Sequence, residues 1–472
     1  MASSFLDAYP TWALALFGVV GLLGFAIVSY TVVRGPRWML LGIVLAAAVV
    51  QIYQPAGNIS VALLLAAAAA PASLWVGRRF LSSVWVWVLL LLAVWQAVAA
   101  LWSHSFGTPV FRVTSTLAIL GSYVLARLVL SEAHGVSRAL LVASPVLALQ
   151  NVLVIVFRFF PGAESAYLTS SLAPWLTEPE VRMIHTEGIQ ENILEATRAG
   201  GLLLNGNIAS LFGMATASIF VYVALSEKAR WCWYMAALCA LGAISTGSKT
   251  PIVLAVTLPL VVVIIGAMAL RRWFYAGIAL LPAVIGLGLV VASGGALLMQ
   301  LDRSLADRLA LWGVAADLFP DKWFLGVGYD GWSTVVVDRF AEIFGTDRIV
   351  LPLPPHNFVI QAWADAGLIA AALVLLAALL PIAYAARLLW AVARQRGRLG
   401  SREYFEAAML FVAVTYVPLH GLTDTTSFAG DNHMIPFYGV AVALLRRTYR
   451  QRFLRGGAVR PAVSTGPGGG NW

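Results

Sequence analysis

Apolar stretches of about 17 to 25 residues recur from residue 11 almost to the end of the chain, and this recurrence limits the fold more than any other feature. Each can cross a hydrocarbon core of roughly 30 Å as a helix. They fall near 11–33, 38–53, 58–77, 82–102, 110–130, 139–160, 202–225, 231–247, 250–270, 273–298, 357–386, 404–420 and 433–447. The pattern predicts an all-α polytopic membrane protein with about 12 transmembrane helices, or 13, because the shorter segments are open to a re-entrant reading. A soluble globular chain is excluded: 60% of the residues are hydrophobic and only 11% charged, where soluble domains carry roughly a quarter.

The formal charge of +9 invites a nucleic-acid reading, but the placement of the charges argues against it. Arg34, Arg37, Arg78, Arg79, Arg127, Arg138, Lys228, Arg230, Arg271 and Arg272 sit at alternate helix connections. Arg387, Arg394, Arg396, Arg398, Arg402 and the run from Arg446 to Arg460 continue the pattern. One up-down threading puts these 21 of the 31 basic residues on a single side, which the excess of Lys and Arg on inner loops marks as cytoplasmic. The expected C-terminus is therefore cytoplasmic, and the expected partners are membrane lipids rather than nucleic acid.

The same threading sends two long connections, a first loop over 161–201 and a second over 299–356, to the opposite face. They hold 14 of the 22 acidic residues. The expected organisation is one transmembrane domain over 1–472 with these two outer loops and a flexible, Gly-rich tail over 456–472. The opening MASSFLDAYP has no basic segment and no small-residue cleavage site, so insertion is expected through the transmembrane helices themselves. Cys232 and Cys239, seven residues apart in one apolar helix, read as buried thiols.

Within the second loop, Ser304 and Asp307 resemble a capping box, with Leu305, Leu309, Trp312 and Ala316 on one helical face and Pro320 limiting the extension. Ile189, Ile193 and Ala196 suggest another amphipathic helix, ending near Arg198 and the Gly200–Gly201 pair. Two motifs are rejected. GVGYDG at 326–331 follows a helix rather than a strand and reads as an ordinary turn, while GAISTGSKT at 242–250 misses phosphate-loop spacing by one residue and has no preceding strand.

Ionisable residues at membrane depth cost roughly 2.5 to 3.5 kcal/mol or more and persist mainly for function. Three stretches place such groups where outer loops meet helices. TRAGGLLLNGN carries Arg198, Asn205 and Asn207; ADRLALW carries Arg308 and Trp312; and LPLPPHNF places His356 and Asn357 where the loop enters an apolar helix. Each has a structural alternative: Arg198 pairing with Glu195, Arg308 with Asp307, and His356 serving with Asn357 as a helix cap. Together they suit anion chemistry, since two guanidiniums hold a diphosphate by paired charge-assisted hydrogen bonds. A neutral imidazole takes a proton from a sugar hydroxyl near neutral pH. No D-x-D, H-E-x-x-H or Cys/His cluster is present, so no metal site and no cofactor is expected.

Secondary candidates are Lys249 for the donor, with snorkelling to the interface as its alternative, and His420 and Asp424 in PLHGLTD for sugar. His104, Arg112 and Arg158 lie at outer connections, and His134 faces the cytoplasm.

At these residues the chain resembles the O-antigen ligases and the related O-antigen polymerases and protein O-oligosaccharyltransferases. The resemblance spans roughly 195–385. It rests on Arg198, Gly201, Asn205 and Asn207; on the turn Ser245, Gly247, Ser248, Lys249; on Arg308, Trp312, Pro320, Gly326 and Gly328; and on His356, Asn357, Asp365 and Gly367. The turn usually ends in arginine where this chain has Lys249, and the acid of the last motif is usually glutamate where this chain has Asp365.

The resemblance implies a GT-C-like architecture and a metal-independent, inverting glycosyltransferase. Such an enzyme takes a glycan from an undecaprenyl-diphosphate carrier at the periplasmic face of a Gram-negative inner membrane and passes it to lipid A-core. It gives His356 the role of base or acceptor-orienting group, and Arg198 and Arg308 the diphosphate, with Lys249 and Asn207 alongside. Asn357, His420, Asp424 and Trp312 are supporting candidates on the acceptor side. A polymerase, or a ligase whose acceptor is a protein, would share the diphosphate site. A lipid-linked sugar transporter is the alternative of a different class, but it needs a polar path through the membrane, and the polar groups here gather on one face.

Overall fold

The computed structural model describes residues 11–50, 59–105, 107–171, 173, 197–274, 276–278, 280–281, 296–344, 354–397, 399–424 and 432–453. Among these residues the fold is helical, without a strand. The helices in chain order are α1 (Thr11–Arg34), α2 (Arg37–Val49), α3 (Val61–Val76), α4 (Val84–Ala99), α5 (Gly107–Val129), α6 (Gly135–Phe159), α7 (Pro161–Leu168) and α8 (Gly206–Ser226). They continue with α9 (Trp231–Ser245), α10 (Lys249–Ala269), α11 (Ala296–Lys322), α12 (Gly331–Phe344), α13 (Phe358–Arg396), α14 (Arg402–Gly421) and α15 (Met434–Phe453).

Among the described residues five spans are long and apolar enough to cross a membrane: Val84–Trp102, α5, α6, α8 and α13. α2, α3, α9 and parts of α1 and α10 are shorter apolar helices. The chain is thus a helical polytopic membrane protein. α15 is set apart by burial, since every residue from Met434 to Leu445 is inside, as expected of a helix apolar all round at the centre of a bundle.

Apolar surface does not drive helices together within lipid, so close backbone approach and internal hydrogen bonds do more of the work. The alanine run of α3 lies so tightly on α5 that a Cβ at Gly121 would come within 1.8 Å of the Ala66 carbonyl oxygen. Trp85 Nε1 of α4 donates to the Ala377 carbonyl of α13 at 2.8 Å, giving a buried indole its partner. Cys232 and Cys239 are buried free thiols, and Asn151 Nδ2 donates to Cys239 Sγ at 3.5 Å.

Several expectations change. α11 begins at Ala296, so Ser304 lies inside the helix rather than at its cap, and Pro320 is accommodated in the last turn before the helix ends at Lys322. An upstream apolar segment extends the helix past the capping signal, and a proline one turn from the end disturbs few remaining hydrogen bonds. α13 runs past the expected 386 to Arg396. The expected helix before Arg198, most of the 273–298 segment and the 456–472 tail lie outside the described residues.

Candidate active site

The joint between the second outer loop and α13 is built around Asn357. Its Oδ1 accepts from Val359 N at 2.9 Å and Ile360 N at 3.2 Å, satisfying two of the donors a helix start leaves open. Its Nδ2 donates to the Leu422 carbonyl just beyond α14 at 3.1 Å. Pro354 and Pro355 restrict the approach, Trp312 Nε1 of α11 donates to the Pro355 carbonyl at 2.9 Å, and His356 sits at φ 47, a left-handed backbone that an L-residue adopts at a cost. Asn357 is therefore the cap, and His356 is held beside it rather than serving as one.

His356 Nδ1 lies 3.7 Å from Asp424 Oδ1, an ion-pair contact longer than a hydrogen bond. Asn207 Nδ2 at the start of α8 donates to Asp424 Oδ2 at 3.3 Å, and the Ser248 hydroxyl before α10 donates to Asn207 Oδ1. Asp424 thus joins polar groups from α8, α10, α13 and the end of α14. Burial works to raise its pKa, but the His356 imidazole, His420 and Arg308 outweigh that and bring it down to about 2. Asp424 is an anion at neutral pH, with two histidines and an arginine around it.

Arg198 is delivered by a turn that three elements fasten. Ala199 N donates to the Thr246 carbonyl at 3.1 Å and Gly200 N to Glu164 Oε1 of α7 at 3.2 Å. Gln150 of α6 grips both sides, donating to the Gly200 carbonyl at 2.9 Å and accepting from Leu202 N at 2.6 Å. Gly247, at φ 73, passes so near the turn that a Cβ there would lie 2.1 Å from the Thr197 carbonyl oxygen, so glycine alone fits. Burial pushes the Glu164 carboxyl up to about 7, against the Gly200 N–H that favours its anion.

These contacts bring His356, Asn357, Asn207, Asp424, His420, Arg308 and Trp312 to one end of the bundle. Arg198, its Cβ 3.6 Å from the position a Gly206 Cβ would take, borders the same patch. Lys249 opens α10 next to Ser248 but is exposed and makes no hydrogen bond or ion pair among the described residues. Among the described residues no three His, Cys, Asp or Glu gather as a metal-ligating set.

A second polar centre lies about two turns along α13. Asp365 accepts from Arg112 Nε of α5 at 3.0 Å and from Gln361 Nε2 at 2.7 Å. Directly after it α13 breaks, with Ala366 and Gly367 at non-helical angles. Gly367 has φ 77, and a Cβ there would meet the Phe324 carbonyl oxygen at 1.8 Å. The segment after α11 clasps this break: Leu368 N donates to the Trp323 carbonyl at 3.1 Å, and Val327 N and Gly328 N reach the Ala364 carbonyl at 2.8 and 3.0 Å. Trp95 Nε1 donates to the Ala366 carbonyl at 2.8 Å and Trp102 Nε1 to the Leu325 carbonyl at 3.0 Å. GVGYDG is therefore more than an ordinary turn, since it holds the half-helix that carries the His356 joint.

Below the polar end, α8, α9, α10 and α14 line an open apolar cavity of about 390 Å³, with Met214, Trp233, Leu254, Leu258, Met409 and Tyr416 among its walls. Leu254 and Leu258 stand six and ten residues beyond Ser248, placing the cavity about 9 to 15 Å beneath the polar groups.

Residues 234–375, covering Ser248, Arg308, Trp312, His356 and Asp365, match the family model described as O-antigen ligase. This stretch is similar to the O-antigen ligase family. No curated protein matches it. The family match supports a ligase or polymerase type of function acting on a lipid-linked glycan, and Arg198, Asn207 and Asp424 lie outside the matched span.

Sequence reading named His356, Arg198, Arg308, Asn207, Asn357 and Trp312. It placed Asp424 among the secondary candidates, and it did not foresee the contacts of Gln150 and Glu164 or the pairing of Arg112 with Asp365. Gln150 and Asn151, an amide pair inside an apolar helix, were the available signal for the first of these.

Proposed function

We propose that this protein is an O-antigen ligase: a metal-independent, inverting glycosyltransferase that moves a polysaccharide from undecaprenyl diphosphate to lipid A-core at the periplasmic face of the inner membrane. The observation that carries the reading is the meeting of His356, Asp424 and Asn207 with Arg308 and Arg198 above an apolar cavity. In this reading about 12 helices span the membrane in a GT-C-like arrangement, with the C-terminus in the cytoplasm.

The imidazole of His356 takes the proton from an acceptor hydroxyl as that oxygen attacks the anomeric carbon. The bond from that carbon to the diphosphate oxygen breaks, the glycosidic bond forms with inversion, and undecaprenyl diphosphate leaves with the electron pair. Asp424, anionic at neutral pH, orients the imidazole and stabilises the imidazolium that forms. Diphosphate is already a good leaving group, so it needs charge neutralisation more than a strong acid, and Arg198 and Arg308 supply it with Asn207 as a neutral donor. Lys249, at the mouth of α10, adds a mobile cation. The cavity beneath accommodates part of a prenyl chain.

The test is transfer by purified protein in detergent, with chelator, from undecaprenyl-diphosphate glycan to lipid A-core. His356→Ala is expected to lower turnover by about 10² to 10⁴ while donor binding survives. A mutant at the wild-type rate removes His356 as the base. A wild type that transfers only to another carrier-linked glycan makes the protein a polymerase.

A further inference from the structure

Three arginines converge at the end of the bundle opposite His356. Arg127 closes the last turn of α5, while Arg446 and Arg450 belong to the last part of α15, which packs along α5 and brings both within electrostatic reach of Arg127. The Arg127 guanidinium lies over the Phe80 ring at 4.8 Å and donates to the Tyr123 hydroxyl at 3.4 Å. The Arg446 guanidinium lies over the Tyr384 ring of α13 at 4.6 Å, and its Nε is buried without a hydrogen-bond partner.

Cations half-buried together repel one another unless an anion lies between them. Three carboxylates at this end are engaged elsewhere, Glu403 with Arg396, Glu406 with Arg402 at 3.1 Å and Glu227 with His134 at 3.8 Å, and Glu132, in the turn after α5, forms no ion pair with the three arginines. None of the three arginines has a carboxylate within ion-pair distance among the described residues. Helix C-termini favour cations, which explains one arginine on each helix but not the third or the buried Nε. A planar guanidinium suits a phosphate better than an ammonium does, and aromatic faces beneath it reduce the freedom lost on binding.

We infer that Arg127, Arg446 and Arg450 form a binding site for the phosphate of an anionic membrane lipid. Lipid is favoured over free phosphate by the apolar surface alongside. Trp75 is 69% exposed beside Phe80's turn, with the Arg78 guanidinium over its ring at 3.9 Å, offering contact to acyl chains. The site is independent of the transfer reaction.

The test is native mass spectrometry of the full chain released from detergent with dioleoylphosphatidylglycerol, dioleoylphosphatidylcholine or inorganic phosphate. Wild type is expected to retain phosphatidylglycerol under activation that strips phosphatidylcholine. Arg127→Gln with Arg446→Gln is expected to lower that retention by about tenfold or more. Arg271→Gln with Arg272→Gln, which removes equal charge from the same end, is expected to leave it within about twofold. Should the first double variant fail to fold, Arg450→Gln alone is expected to lower retention by about fivefold. Equal retention of the two lipids, equal loss in both double variants, or displacement of the lipid by equimolar inorganic phosphate would overturn the proposal.

Discussion

Asp365 and Asp424 are both buried acids near the same end of the bundle, yet they are held differently. Asp365 makes a 3.0 Å contact with Arg112 and a 2.7 Å contact with Gln361, and its side chain is 6% exposed. Asp424 meets Asn207 at 3.3 Å and His356 at 3.7 Å, and the imidazole is 28% exposed. Short contacts from two donors fix a fold. Longer ones beside an accessible imidazole suit a group that must move a proton, since catalytic hydrogen bonds often tighten only when substrate arrives.

The largest effect that sharpens this contrast is on stability. Arg112→Leu leaves the buried Asp365 carboxylate with Gln361 but without its cation, and is expected to cost about 3 to 5 kcal/mol in chemical denaturation. Adding Asp365→Leu is expected to recover most of that, as an ion pair that works as a fastener predicts. Asp424→Asn removes an anion that the folded state favours, so it is expected to cost less, about 2 kcal/mol, and to lower transfer by about 10 to 100-fold, seen in kcat more than in KM. If Asp424→Asn instead destabilises as much as Arg112→Leu while sparing turnover, the two acids are alike and the contrast fails.

The smallest effect concerns Glu164, beneath the Arg198 turn. Its folded pKa, about 7, lies above the ordinary 4.5, so folding favours the protonated form. The stability it contributes is full below about 4.5 and is lost progressively up to about 7. Glu164→Gln keeps an oxygen for Gly200 N–H and cannot ionise. Denaturation across pH 4 to 8 is expected to show equal stabilities at the acid end and a growing advantage for the variant up to pH 7. Parallel curves would mean that the carboxyl is not held in its neutral form.

Many of the helices were legible because apolar length marks them: the expected 404–420 and 110–130 correspond to the helices Arg402–Gly421 and Gly107–Val129, although of these two only Gly107–Val129 is among the five described helices that are long and apolar enough to cross a membrane. Asn357 as a cap was legible from its place between two prolines and an apolar run. What joins distant parts of the chain was not. Arg112 and Asp365 are 253 residues apart, and Asn207 and Asp424 are 217 apart. Nothing local in either sequence names its partner. The break after Asp365 was hidden for the same reason, because one glycine in an apolar run is tolerated in a helix, and the carbonyls that force it open come from Trp323 and Phe324.

That break has a mechanical consequence. An uninterrupted α13 would act as a lever, passing every tilt imposed by a thicker or thinner bilayer to the residue at its tip. With the rod cut at 366–367 and its short arm clasped by 323–328, His356 takes its bearings from neighbouring protein instead, and membranes of different thickness load the long arm alone.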